Sequence, residues 1–230
     1  MGARIKAAAS YGASLAVVAV TAYLLASRGI RPVYQLALAA VAAALAVLGG
    51  MFLIKSEAFP EEKIKKATVT ALFAIYLLLL LNFTIFDGYF GRDASEKTVT
   101  EFFAERGNLV PFATLVRQTR ALADGRYDLD FYVVNIVGNI AAFAPLAVFL
   151  PALFEKCRRF LPFFLVTSAA IIAVESAQLF LRVGSYDVDD YMLNIAGAVA
   201  LFFILKTKRL SRITSKIYGG DTACKDENNV

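Results

Sequence analysis

The sequence predicts an all-α membrane protein: a polytopic bundle of about six transmembrane helices, with short amphipathic helices in a long outer loop. Three observations predict it. Of 230 residues, 59% are hydrophobic, against about 45–50% in a typical soluble domain. The apolar residues gather into runs of about 20, the length a helix needs to cross the hydrocarbon core. The lysines and arginines between those runs are distributed unevenly, as expected of loops on opposite sides of a membrane.

The first run, 7–26, follows Arg4 and Lys6. It is too long for a signal-peptide core and lacks a small-residue cleavage site, so it is expected to remain as a span. The second is 33–54. Both are rich in alanine and carry Gly12, Gly49 and Gly50. Small residues let helices approach closely in lipid, and this pair is read as scaffold. The third run is 67–86. A long loop, 87–130, comes next. Ser95 is placed to cap a short helix with Val99, Phe102 and Phe103 on one face. Beyond Pro111, the segment 112–123 sets Phe112, Leu115, Val116 and Leu122 opposite Arg117 and Arg120. That helix either lies on the outer leaflet or packs on the bundle as a lid. Runs four, five and six are 131–154, 160–181 and 188–205. Pro145 is expected to kink the fourth. The sixth is short and begins in acids, so its outer end is expected to be shielded by protein. The segment 211–230 reads as a polar cytoplasmic tail.

With the N-terminus inside, the cytoplasmic segments carry fifteen basic residues and the short outer loops three: Arg28, Arg31 and Arg182. Both termini are therefore expected in the cytoplasm. The net charge of +5 reflects this topology and contact with anionic lipid; no nucleic-acid partner is implied. Cys157 and Cys224 fall in cytoplasmic segments, which argues against a disulfide. The chain has no histidine, which removes that residue from any catalytic, metal or pH-sensing role.

Glu175 lies inside an apolar run, where an ionisable residue is costly and points to function. Glu175, Gln178 and Arg182 follow at i, i+3 and i+7, one helical face rising toward the outer surface. Asn135 and Asn139 share a face in the outer half of span four. Asp187, Asp190 and Asn194 share a face at the outer end of span six, beside Asp189. Three spans thus direct polar groups to one depth. Taken singly, an asparagine can be interhelical glue. Glu175 can pair with Arg182, and an aspartate can cap the sixth helix. Together the carboxylates outnumber such uses, and crowded carboxylates raise one another's pKa or recruit a cation.

The stretches Asn108-Leu-Val-Pro111-Phe112, Asn135-Ile-Val-Gly-Asn139 through Phe143-Ala-Pro145-Leu146, Glu175-Ser-Ala-Gln178, and Arg182-Val-Gly-Ser-Tyr-Asp187-Val-Asp-Asp190 through Asn194-Ile-Ala-Gly197 occur in this order. In order and spacing they resemble the VanZ-like membrane protein family, over roughly 106–205. Ala147 stands where the family often has glycine, and a second glycine beyond Gly197 is missing; both are packing positions. The resemblance implies a bacterial plasma-membrane protein, multi-pass. It implies a family core of four spans at 67–210, with 1–66 an added helix pair. The family's namesake is linked to low-level resistance to teicoplanin, a lipid-bearing glycopeptide.

Two functions follow as expectations. In the first, the chain binds a lipid-linked cell-wall precursor or a lipoglycopeptide at the outer leaflet, in contact with membrane lipids, in resistance or envelope homeostasis. Asn108, Asn135, Asn139, Gln178, Arg182, Asp187, Asp189 and Asn194 form the candidate ligand-binding set, with Arg182 suited to phosphate. In the second, a membrane-embedded enzyme acts on a lipid-linked substrate. Glu175 would be its general acid or base and Asp190 a catalytic partner, with Asp187 and Asp190 able to hold a divalent cation. No cofactor is assigned. A transporter is a third class, without an inverted repeat to support it.

Overall fold

The computed structural model describes residues 2–27, 31–57, 59–87, 94–207 and 210. Arg28, Lys208, Arg209 and the tail expected at 211–230, which holds Cys224, lie outside the described residues. The chain forms two compact units, 1–90 and 91–230.

The first unit contains α1 (Gly2–Ser27), α2 (Pro32–Lys55) and α3 (Glu61–Leu81), the last running into a π-helical turn at Asn82–Phe86. Pro32 opens α2, where a missing N–H costs nothing. On α2, Ala42, Ala46, Gly49 and Gly50 are buried along one side. Their small size admits neighbours: a Cβ at Gly49 would lie 2.9 Å from the Tyr11 ring. Ser14 Oγ donates to the Ala42 carbonyl at 2.8 Å. The expected scaffold pair also carries a polar knot that the sequence reading did not single out. Gln35 is fully buried. Its Nε2 donates to Asp87 at 2.6 Å and its Oε1 accepts from Asn82 at 2.8 Å. The signal available in sequence was three polar side chains at the ends of apolar runs, each of which needs a partner away from water.

The second unit contains α4 (Val99–Arg106), β1 (Gly107–Asn108), α5 (Ala113–Ala123), α6 (Leu129–Ala142), α7 (Leu146–Leu153), a 3-10 turn at Glu155–Arg158, α8 (Phe160–Leu181), β2 (Tyr186–Asp187) and α9 (Val188–Leu205). The expected fourth span is a broken one. Helix α6 stops at Ala142 and α7 restarts after Pro145, because proline has no N–H to give an earlier carbonyl. Helices α8 and α9 run antiparallel: Phe163 stacks on Phe202 with ring centroids 4.4 Å apart, while Ser168 and Tyr191 bond by their hydroxyls at 2.6 Å. The buried face of α8 is Phe163, Thr167, Ile171, Glu175 and Gln178, a helical repeat of four, four, four and three.

The cap of α4 is Thr98, in place of the expected Ser95. Thr98 Oγ1 accepts from Glu101 N at 3.3 Å, and Glu101 Oε2 accepts from Thr98 N at 2.9 Å. This reciprocal box satisfies two end groups at once, which Ser95, three residues earlier, is out of register to do. The hydrogen bond from the Thr98 hydroxyl is the main reason the Glu101 carboxyl lies below its ordinary range. In α5 the buried side chains are Thr114 and Ala121, while Phe112 and Val116 are exposed. Leu115 and Leu122 of the same side are half-buried, and Arg117 and Arg120 are exposed, so the apolar side of this segment is partly covered and partly exposed.

Six helical stretches are long and apolar enough to cross a membrane: Gly2–Leu24, Pro32–Lys55, Glu61–Phe86, Tyr132–Leu153, Phe160–Leu181 and Val188–Leu205. Large apolar side chains stay exposed along them, Leu15 at 70% and Phe180 at 69% among them. A water-soluble monomer rarely tolerates apolar surface on this scale. The chain has the make-up of a multi-pass membrane protein.

Cys157 is buried in the 3-10 turn, and burial pushes its thiol up from the ordinary value. In a Cys224→Ser background, a maleimide is expected to label Cys157 slowly in detergent and rapidly after SDS denaturation. Rapid labelling of the folded protein would contradict this placement.

Candidate functional site

The polar residues of the second unit meet around the turn between α8 and α9. Helix α8 ends because Arg182 takes a left-handed conformation, φ 56°. Its carbonyl accepts from Ser95 N at 3.0 Å, and its Nη1 donates to the Lys97 carbonyl at 3.1 Å. Arg182 Nε is buried and donates to nothing among the described residues. The long loop is therefore stitched to this turn at Ser95 and Lys97. A second stitch is the parallel pairing of β1 with β2, Gly107 opposite Tyr186 and Asn108 opposite Asp187.

That register brings Asn108 Nδ2 within 2.9 Å of Asp187 Oδ1, and within 3.2 Å of Thr114 Oγ1. Asp187 Oδ1 also accepts from Asp189 N at 2.9 Å, so Asp187 caps α9, where the positive helix end favours a carboxylate. Asp189 is 1% exposed and caps a different helix. Its carboxylate accepts from the backbone N–H of Phe112, of Thr114 at 2.9 Å and of Leu115 at 3.0 Å. These are first-turn donors of α5, which have no partner within their own helix. Phe112, left-handed at φ 65°, turns the chain so that they face Asp189.

Asp190, next in sequence, points elsewhere and accepts from Asn139 Nδ2 of α6 at 2.6 Å. Asn135, on the same face as Asn139, donates instead to Gln118 of α5 at 3.0 Å. Gln178 and Asn194 are both 3% exposed, and Asn194 Oδ1 meets no donor among the described residues.

Glu175 is buried and lines a cavity of about 150 Å³ with Asp187, Tyr186 and Tyr191. Leu109, Ile172 and Val188 complete the wall. Of the residues singled out from sequence, the cavity joins Glu175 and Asp187, with Asn108 one hydrogen bond behind. Asn135, Asn139, Asp189, Asp190 and Arg182 have their hydrogen bonds with protein groups around it. Tyr186, Tyr191 and Leu109 lie in motif stretches, yet sequence offered only their position to suggest a lining role. Among the described residues, no three acids or cysteines gather as a metal-ligand set. Asp187 and Asp190, the pair considered for a divalent cation, each accept a hydrogen bond from a protein donor.

A family model described as VanZ/LLP1 matches residues 73–209, more than half of the chain. The chain belongs to the VanZ/LLP1 family. The VanZ/LLP1 match begins in α3 and takes in the cavity and every candidate site residue; α1 and α2 precede it. No curated protein and no solved structure matches the chain.

Proposed function

We propose that this VanZ/LLP1 protein binds the polar end of a lipid-linked envelope molecule at the outer leaflet of a bacterial plasma membrane, with both termini in the cytoplasm. The observation that carries the reading is the cavity holding Glu175 and Asp187 within an otherwise apolar wall. At about 150 Å³ it is smaller than the roughly 300–1,000 Å³ of sites that enclose a whole drug-sized ligand. It suits an end group, with the rest of the molecule left outside. Leu109, Val110 and Phe112 are each more than half exposed, and Leu109 belongs to the cavity wall, so the apolar part of an amphiphile has a surface to lie against. The excess of basic residues in alternate loops supports the orientation. Capture of a lipid-bearing glycopeptide such as teicoplanin, or of the precursor it targets, would connect this binding to resistance.

The test compares wild type with Glu175→Gln, each expressed in a susceptible bacterium and purified. One class of host lipid is expected to co-purify with the wild type. Loss of a hydrogen bond to a charged group, about 1.5–3 kcal/mol, should deplete it about tenfold or more in the variant. In the same strains, teicoplanin tolerance is expected to rise with the wild type and not with Glu175→Gln. Identical lipid profiles from the two proteins would overturn the proposal.

A further inference from the structure

We infer that the end group this cavity receives is a positively charged amine, which makes the ligand an aminolipid. The inference rests on the lipid-binding reading and specifies its chemistry. Two carboxyl groups reach the cavity from different elements, Glu175 from α8 and Asp187 from the start of α9. No lysine or arginine lines it. Both protein donors to Asp187 go to Oδ1, and no donor among the described residues reaches its second oxygen. A phosphate entering here would meet two acidic side chains and no lysine or arginine in the wall, and a charge removed from water needs an opposite partner. An ammonium group brings three N–H donors to the two carboxyl groups in this otherwise apolar wall.

The tyrosines fit the same group. Tyr191 lines the cavity with its hydroxyl engaged by Ser168 at 2.6 Å. The Tyr186 ring packs against Phe103, centroids 5.9 Å apart. Aromatic faces attract an ammonium through the ring quadrupole. A metal ion is a poorer match, because the described residues gather no set of three acidic ligands. The cavity's small volume holds the amine end, while the exposed Leu109, Val110 and Phe112 give the apolar chains a place to rest. A free soluble amine would leave that surface unused.

Native mass spectrometry of the full chain in detergent tests this with three probes: dioleoylphosphatidylethanolamine, its N-acetylated form and dioleoylphosphatidylglycerol. The free amine is expected to bind about tenfold tighter than either other lipid. Glu175→Gln should remove that preference. Leu109→Lys, at a position 63% exposed and so tolerated by the fold, should also weaken the aminolipid by placing a cation at the cavity wall. Equal binding of the three lipids, or aminolipid binding unchanged in both variants, would overturn the amine assignment while leaving lipid binding in place. If the wild type retains none of the three, the assignment and the lipid-binding reading fall together.

Discussion

Gly197→Ala is expected to destabilise the protein severely, while Gly138→Ala is expected to leave it as stable or slightly more so. A Cβ on Gly197 would lie 1.9 Å from the Ile140 carbonyl oxygen and 2.7 Å from its carbon. Both are backbone atoms of α6, so no side chain can rotate away, and α6 and α9 must separate. Overpacking by one group ordinarily costs about 1–3 kcal/mol; a clash with backbone puts this case at or above the top of that range. In lipid the loss weighs more heavily, because close packing is a main force holding helices together there. A Cβ on Gly138 meets nothing within 4 Å. That change only removes the entropy penalty of a helical glycine, about 0.5–1 kcal/mol. Unfolding in detergent, followed by heat or SDS titration, compares the two. A Gly197→Ala midpoint equal to wild type would refute the predicted crossing. The effect should also reach the site, since α6 carries Asn139 and α9 carries its acceptor Asp190.

Asp189→Ala should release the start of α5. Three backbone N–H groups donate to this carboxylate, in a place where Asp189 itself is 1% exposed. Each buried donor left without an acceptor costs about 1–3 kcal/mol. The total is on the order of several kcal/mol, set against a typical stability of about 5–15 kcal/mol. Asp189→Asn keeps the shape and one acceptor oxygen but loses the charge, so an intermediate effect is expected. Hydrogen–deuterium exchange gives the local readout: faster exchange at Phe112, Thr114 and Leu115 in Asp189→Ala. Unchanged exchange at these amides would show that the carboxylate does not hold the helix. Because Asn108 bonds both Thr114 and Asp187, the same substitution should loosen the Leu109 wall of the cavity.

Neighbouring residues show how far the sequence reading reaches. Asp189 and Asp190 are both conspicuous as acids at the head of an apolar run. One residue turns a helix by about 100°, and so Asp189 faces the start of α5 while Asp190 faces Asn139. Asn135 and Asn139 lie on one face, as their spacing requires, yet they bond different helices. Ser95 and Thr98 both have capping side chains; only Thr98 stands three residues before a glutamate that can answer it. Gln35, Asn82 and Asp87 do not stand out in sequence because each lies at the margin of an apolar run, where a polar residue needs no explanation until the partners meet.

Sequence alone determined the six apolar stretches and the break at Pro145. Hydrocarbon demands long apolar helices, and Pro145 has no N–H to carry the fourth one through, whereas Pro151 stays inside α7. It also determined which polar residues needed a reason, because a polar group among apolar ones is costly in any fold. Only the tertiary structure decided which of them share a cavity and which hold a helix end. Hydrogen bonds act over about 3 Å, and the distances among Glu175, Asp187, Asn108 and Asp189 come from how α5, α8 and α9 meet.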